Sequence, residues 1–239
     1  MSAVFRLLPR LTAVADLVPD GARLVDVGTD HGRLPVSLLL SGRIESAIAA
    51  DIRPGPLSAA QRTADAYDLE DRLKFVLCDG LEGISASEVN TVVIAGMGGE
   101  TIAGILSRAP WTTQDGCLVL LQPMSKSEEL RLELPQLGFK AVAERLVRDN
   151  GRLYQLMAVI GGTESTLSEA ELYTGRWELI REDPLFPEYL SGLISRMEHA
   201  MHGLDGASSP EHAKRAERFR EALDGFYGMW NALKQNGRI

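Results

Sequence analysis

The chain has 239 residues, 45% hydrophobic and 24% charged, an ordinary globular composition rather than a disordered one. A net charge of -8 argues against coating nucleic acid through bulk electrostatics, although a local basic surface would suffice for an RNA enzyme. No apolar run approaches a membrane span or a signal-peptide core. Cys78 and Cys117 have no metal-ligand spacing with each other or with His31, His199, His202 and His212, so the sequence predicts a cytoplasmic protein without metal.

The first fifteen residues carry Arg6 and Arg10 and no acid, the one clear departure from the acidic average. From about residue 22 to 160, strand and helix patterns alternate. Short apolar runs at 22–27, 47–51, 73–78, 91–95 and 117–121 predict five buried strands, and segments such as 56–67 and 101–108 have the length of crossover helices. That alternation predicts an α/β doubly wound, Rossmann-like sheet. Residues 141–148 and 153–160 are two further strands joined through Asp149-Asn150-Gly151-Arg152, a strong hairpin signal, so the sheet is expected to end antiparallel. Gly161-Gly162-Thr163 breaks the pattern. From Ser168 onward the chain reads as helical, with Pro184 and Pro187 interrupting an early segment, and two longer helices are predicted at 189–204 and 210–235, with Ser209-Pro210-Glu211 as a helix start. The expected division is a nucleotide-binding domain over 1–162, including a short N-terminal helix, and a helical hairpin over 163–239.

The first strand runs into Asp26-Val27-Gly28-Thr29-Asp30-His31-Gly32, the place where doubly wound folds bind nucleotides. A dinucleotide fingerprint would need a glycine where Asp30 stands, and carboxylates beside a pyrophosphate repel it. An acidic loop instead suits S-adenosylmethionine, which carries an ammonium and a sulfonium and no phosphate. Asp51 closes the second strand, where a carboxylate accepts from ribose hydroxyls, with Ile52 next to it. Asp79 and Gly80 close the third, where an acid can take an adenine amino group. Each aspartate alone reads equally well as a helix cap or a solvated charge, and Gly28 as a backbone requirement of a tight turn. Acids at three successive strand ends favour the cofactor reading, with His31 in a positioning role.

The fourth strand runs into Gly96-Met97-Gly98-Gly99 at a helix start, where enzymes that methylate exocyclic amines carry an Asp/Asn-Pro-Pro-aromatic motif. Both cysteines sit in strand patterns and read as core, which leaves no nucleophile for carbon-5 pyrimidine chemistry. A ring nitrogen remains the attractive acceptor, because it needs only position, orientation and a dry pocket. Gln122, Asn150 and Tyr154 are expected on the same rim. Tyr154 is either a stacking platform for an extruded base or a packing aromatic.

Together, Asp26-Val27-Gly28-Thr29-Asp30-His31, Ala95-Gly96-Met97-Gly98-Gly99, Leu121-Gln122-Pro123 and Arg148-Asp149-Asn150-Gly151-Arg152-Leu153-Tyr154 resemble the bacterial tRNA (adenine-22-N1)-methyltransferase family. The resemblance spans essentially the whole chain. It implies a class I methyltransferase sheet with a coiled-coil-like helical appendage, S-adenosylmethionine as cofactor and tRNA as partner, with no obligate protein partner. It gives Gly28, Asp30, Asp51, Asp79 and Gly80 to the cofactor and sets Gly96 to Gly99 beside the transferred methyl. Arg6, Arg10, Arg33 and Arg53 are expected to grip tRNA, with residues 163–239 as a second jaw. That segment holds nine basic and thirteen acidic residues, and Lys214, Arg215 and Arg218 are its only basic cluster. Two alternatives stand: an NAD-dependent oxidoreductase on a similar sheet, and a non-catalytic module binding S-adenosylmethionine or RNA.

Overall fold

A computed structural model describes residues 7–202 and 210–239. They form two compact units, residues 7–142 with 147–164, and residues 143–146 with 165 onward. The expected helix start at Ser209 and the basic Arg6 lie outside the described residues.

In the first unit, α1 (Pro9–Leu17) precedes β1 (Ala22–Val27), α2 (Arg33–Leu40), β2 (Ile44–Asp51), α3 (Pro54–Asp65) and β3 (Leu73–Leu77). There follow β4 (Thr91–Gly98), α4 (Gly99–Ser107), β5 (Leu118–Ser125), α5 (Ser127–Gln136), β6 (Phe139–Asp149) and β7 (Arg152–Gly161). The sheet order is β3-β2-β1-β4-β5-β7-β6. Strands β1 to β5 pair parallel, and β7 runs antiparallel to β5, with Leu121 opposite Met157. The Rossmann-like α/β sheet ending in an antiparallel hairpin is thus present. Its order reverses between β1 and β4, the switch point at which open α/β sheets bind ligands beyond their strand ends.

Apolar side chains of the parallel strands and covering helices, among them Val25, Ile48, Val92, Ile94, Ile102, Leu106, Val119 and Leu121, form one buried core. Pro54 starts α3, where its missing N–H costs nothing. Asn150 and Gly151 both take positive φ, +47° and +75°, as a two-residue hairpin turn with the strands' own twist demands.

Several boundaries move. β2 begins at Ile44 rather than 47: Ile44 is buried and pairs with Ala22, and a register irregularity leaves exposed Glu45 out of the ladder before Ser46 pairs with Arg23. β4 and β5 run on to Gly98 and Ser125, held together by continued pairing of Met97 with Pro123 and Gly98 with Ser125. The motif glycines 96 to 98 therefore lie within a strand end, and only Gly99 opens the helix.

The second unit holds α6 (Glu169–Thr174), α7 (Trp177–Ile180), α8 (Phe186–His202) and α9 (Pro210–Gln235). Helix α6 starts on a capping box, with the Ser168 hydroxyl and Glu171 carboxylate each serving the other's backbone N–H. It docks where Gly225 leaves room for Ala170, since a Cβ on Gly225 would come within 2.5 Å of the Ala170 Cβ. Phe186, Leu190, Leu193 and Met197 of α8 pack with Ala222, Phe226 and Leu233 of α9. Pro187 lies in the first turn of α8, so it initiates the helix instead of interrupting it. Trp177 and Trp230 pack against this core, and Trp111 against that of the first unit.

Candidate active site

Register brings the carboxyl ends of β1, β2, β4 and β5 together: Val27 lies beside Ala50 and Ile94, and Ala95 beside Gln122. The loop after β1 folds back through Gly28, whose N–H donates to the Ala50 carbonyl at 2.8 Å. Gly28 has φ +72°, the left-handed region that favours glycine, and the Met97 side-chain tip lies over it, 2.2 Å from where a Cβ would stand. Asp26 is buried, and its carboxylate accepts the Thr29 hydroxyl at 2.7 Å. Burial pushes its pKa up to about 6, against the Thr29 hydrogen bond and with help from the charges of Asp30 and Asp51. Asp30 and His31 are exposed and 3.3 Å apart, with His31 in the left-handed region at φ +58°.

At the end of β2, Asp51 is only 6% exposed. Its Oδ1 accepts the Arg53 backbone N–H at 2.8 Å and faces the Arg53 guanidinium at 3.7 Å. Ile52 is 63% exposed, and Leu77, paired in register with Asp51, is 59% exposed. Two bare apolar side chains at adjoining strand ends make a surface fit for a flat ring. After β3, Gly80 at φ +64° abuts Ile105, which a Cβ would approach within 2.8 Å. Asp79 pairs with Arg108 at 3.1 Å, a partner the sequence pattern does not reveal.

The β4 motif divides its labour. Gly96, at φ +80°, is exposed with no protein atom within 4 Å of where a Cβ would stand. Gly99 is buried, and a Cβ there would meet the Lys126 carbonyl oxygen at 2.1 Å. One glycine thus faces open space, and the other permits close packing of α4 on the turn before α5. At that turn Lys126, itself at φ +56°, pairs with Glu100 at 2.5 Å and Glu129 at 3.5 Å. The Lys126 hydrogen bond holds the Glu100 carboxyl below its usual range. The sequence reading missed this pair.

Gln122 is 1% exposed at the end of β5, with its amide N–H donating to the Pro123 carbonyl at 2.9 Å. Its Oε1 accepts from Arg10 Nη1 at 3.3 Å, while Arg10 Nε donates to Asp149 Oδ2 at 2.7 Å. The same guanidinium lies 4.9 Å from the centroid of the Tyr154 ring. Arg10, expected as a tRNA grip, is therefore engaged inside the protein, because buried Asp149 demands a counter-charge. Arg10 brings Gln122 and Tyr154 together, Gln122 buried and Tyr154 half-buried. Asn150 forms the exposed tip of the β6–β7 turn. Arg33 opens α2, with no side-chain partner recorded among the described residues, and Arg53 is largely exposed.

The arrangement suits a cationic nucleoside better than a dinucleotide. Asp30 stands bare where a pyrophosphate would need backbone N–H groups alone, Asp51 offers a second carboxylate oxygen, and Ile52 and Leu77 offer an apolar face. The likenesses agree with that geometry. The B. subtilis tRNA (adenine(22)-N(1))-methyltransferase is 31% identical over 157 residues, covering 66% of this chain. The chain spans 66% of that relative's length, just under two thirds. Sp1610 of Streptococcus pneumoniae, a candidate tRNA (m1A22) methyltransferase solved with S-adenosyl-L-methionine, superposes with a TM-score of 0.77 and 29% identity, over 91% of this chain and 100% of that one. The m1A22 tRNA methyltransferase TrmK of B. subtilis shares the fold, with a TM-score of 0.84, 23% identity and coverage of 95% and 99%. The methyltransferase-domain family matches residues 7–157, more than half of the chain, and sets the oxidoreductase alternative aside: the protein belongs to the methyltransferase-domain family.

Proposed function

We propose that this protein transfers a methyl group from S-adenosylmethionine to N1 of an adenine in tRNA, the activity for which its B. subtilis relative is named, and acts in the cytoplasm. The observation that carries the reading is Gly96 facing open space on β4, one residue from Ala95, which pairs with Gln122, with Ala-Gly-Met-Gly-Gly standing where an Asp/Asn-Pro-Pro-aromatic motif would hold an exocyclic amine. N1 of adenine has its own lone pair, so it needs neither a protein nucleophile nor prior loss of a proton.

When bound, S-adenosylmethionine supplies the methyl as an electrophilic carbon on a sulfonium. Asp51 would accept the ribose hydroxyls, Ile52 would cover the adenine ring, and Asp30 would face the ammonium, with Asp79 and Gly80 shaping the purine end. Asp26 and His31 would fix the loop, and the Gly28 turn would set the depth of the pocket. Gly96, Met97, Gly98 and Gly99 would line the transfer path, with Gln122 and Tyr154 orienting the acceptor base. Such positioning is worth ~7–11 kcal/mol of a barrier when reacting atoms are well aligned. Burial raises the pKa of Cys117 to about 11 and raises that of Cys78 as well, so neither presents a thiolate for pyrimidine chemistry.

For tRNA, Arg33 and Arg53 would contact phosphate, and residues 163–239 would form the tRNA-binding domain. In the second unit Lys214 and Arg215 are exposed, whereas Arg218 is engaged by Glu169 at 3.1 Å. The test is transfer of labelled methyl to bulk tRNA, digestion to nucleosides, and chromatography. N1-methyladenosine is the expected product. Initial N6-methyladenosine, or no incorporation, would overturn the reading, the latter in favour of a non-catalytic module.

A further inference from the structure

We propose that Arg10 is a positioning residue for methyl transfer, locking the acceptor side of the rim rather than gripping RNA phosphate. The proposal rests on the methyltransferase reading above. Three observations carry it. First, Arg10 comes from α1 yet reaches three separate strands: Asp149 at the end of β6, Gln122 on β5 and Tyr154 on β7. Second, its targets are deeply placed, Asp149 being 3% and Gln122 1% exposed, while the Arg10 side chain itself is 24% exposed. A guanidinium so committed has its charge answered by Asp149 and little left to offer a phosphate.

Third, the bonds fix orientation. With Oε1 taken by Arg10 and the amide N–H by the Pro123 carbonyl, the Gln122 amide has one orientation, beside Ala95 and next to the open Gly96. The guanidinium plane against the Tyr154 ring restrains that ring as well. Tyr154, half-buried, is the side chain suited to stack on a purine, and buried Gln122 belongs to the frame that holds the Arg10 guanidinium against it, so Arg10 sets where that ring rests. Its pairing with Asp149 also keeps the spot close to neutral, which suits a base that becomes cationic once methylated at N1. Only a planar, forked cation can bond Asp149 through Nε and Gln122 through Nη1 while lying over the Tyr154 ring; a lysine ammonium keeps the charge and loses the geometry.

The test therefore uses Arg10→Lys, which preserves a counter-charge for Asp149, with steady-state kinetics on tRNA at several salt concentrations. Misplacement by about 1 Å lowers rates up to ~100-fold, so kcat is expected to fall roughly 10–100-fold. KM for tRNA should stay within about threefold, S-adenosylhomocysteine affinity within about twofold, and the salt dependence of tRNA binding should keep its slope. Unchanged kcat would overturn the proposal. So would a raised KM with a salt slope flatter by about one contact, the signature of a phosphate ligand. A thermal double-mutant cycle over Arg10→Lys and Asp149→Asn reads the lock without tRNA. Coupling between the two positions is expected, and strict additivity would count against the lock even if the wild-type protein left tRNA unmethylated.

Discussion

Asp51→Ala should weaken binding of S-adenosylhomocysteine about 10- to 150-fold while leaving the protein folded. The magnitude follows from the geometry. Asp51 closes β2 nearly buried, and its Oδ1 already serves the Arg53 N–H at 2.8 Å. The other oxygen has no partner recorded among the described residues and is the one a ribose hydroxyl would meet. A hydrogen bond to a charged acceptor contributes about 1.5–3 kcal/mol, and 1.4 kcal/mol is tenfold in affinity. The fold should tolerate the change, because Asp51 is also one of the charges that oppose ionisation of Asp26, and removing it relieves that repulsion. Isothermal calorimetry reads the affinity, and circular dichroism melting confirms the fold. Asp51→Asn, which keeps an acceptor for Arg53 but not the charge, should fall between wild type and alanine. A folded Asp51→Ala protein with wild-type affinity would refute the assignment of this carboxylate to the ribose.

The two rim glycines should separate cleanly. Gly99→Ala forces a Cβ to within 2.1 Å of the Lys126 carbonyl and should cost about 1–3 kcal/mol, seen as a fall in Tm of roughly 2–4 °C per kcal/mol; an unchanged Tm would contradict the close packing. Gly96→Ala meets no protein atom and carries only the left-handed penalty of about 1–2 kcal/mol, yet it should abolish most methyl transfer, and full activity would show that the space is not a substrate path. Asp26 supplies the pH test: with its folded pKa raised from 3.8 to about 6, its contribution to stability is fully present below pH 3.8 and is lost as pH rises through about 6. Melting curves of wild type should therefore lose ground to Asp26→Asn over that window, and parallel curves would deny the shift.

The parallel strands were legible because each is an unbroken apolar run between turn residues, and burial on both faces leaves such runs little other use. The hairpin was legible from Asn150-Gly151 alone, since few pairs accept two positive φ angles. Boundaries failed where the governing force was not local. Strand pairing carries β4 through three residues whose intrinsic preference is to leave a strand, and nothing in Gly96-Met97-Gly98 announces that Pro123 and Ser125 lie alongside. Helix α6 is the opposite case. The helical pattern is read from Ser168 onward, where its capping box with Glu171 stands, but a six-residue helix gives too little periodicity to show where it ends.

Charge was the least legible property, and Arg10 shows why. A basic residue in an acid-free stretch of an acidic chain reads as a surface contact, because sequence records composition and not partners. Its partner, Asp149, lies 139 residues away. The same holds for Asp79 with Arg108 and Lys126 with Glu100. Once these pairs are drawn, the rim divides into two electrostatic halves. The ends of β1 and β2 keep carboxylates in excess, with Asp51 facing Arg53 and Asp30 beside the His31 ring, and Asp26 without a cation among the described residues. On the β4 to β7 side the cations are answered locally, Arg10 by Asp149 and Lys126 by both Glu100 and Glu129. Bare carboxylates suit a cationic methyl donor, whereas a side whose cations are already paired suits a neutral base that turns cationic on reaction. The net charge of -8 that weighed against nucleic acid is thus partly a property of the cofactor side, and says little about the face that receives the acceptor.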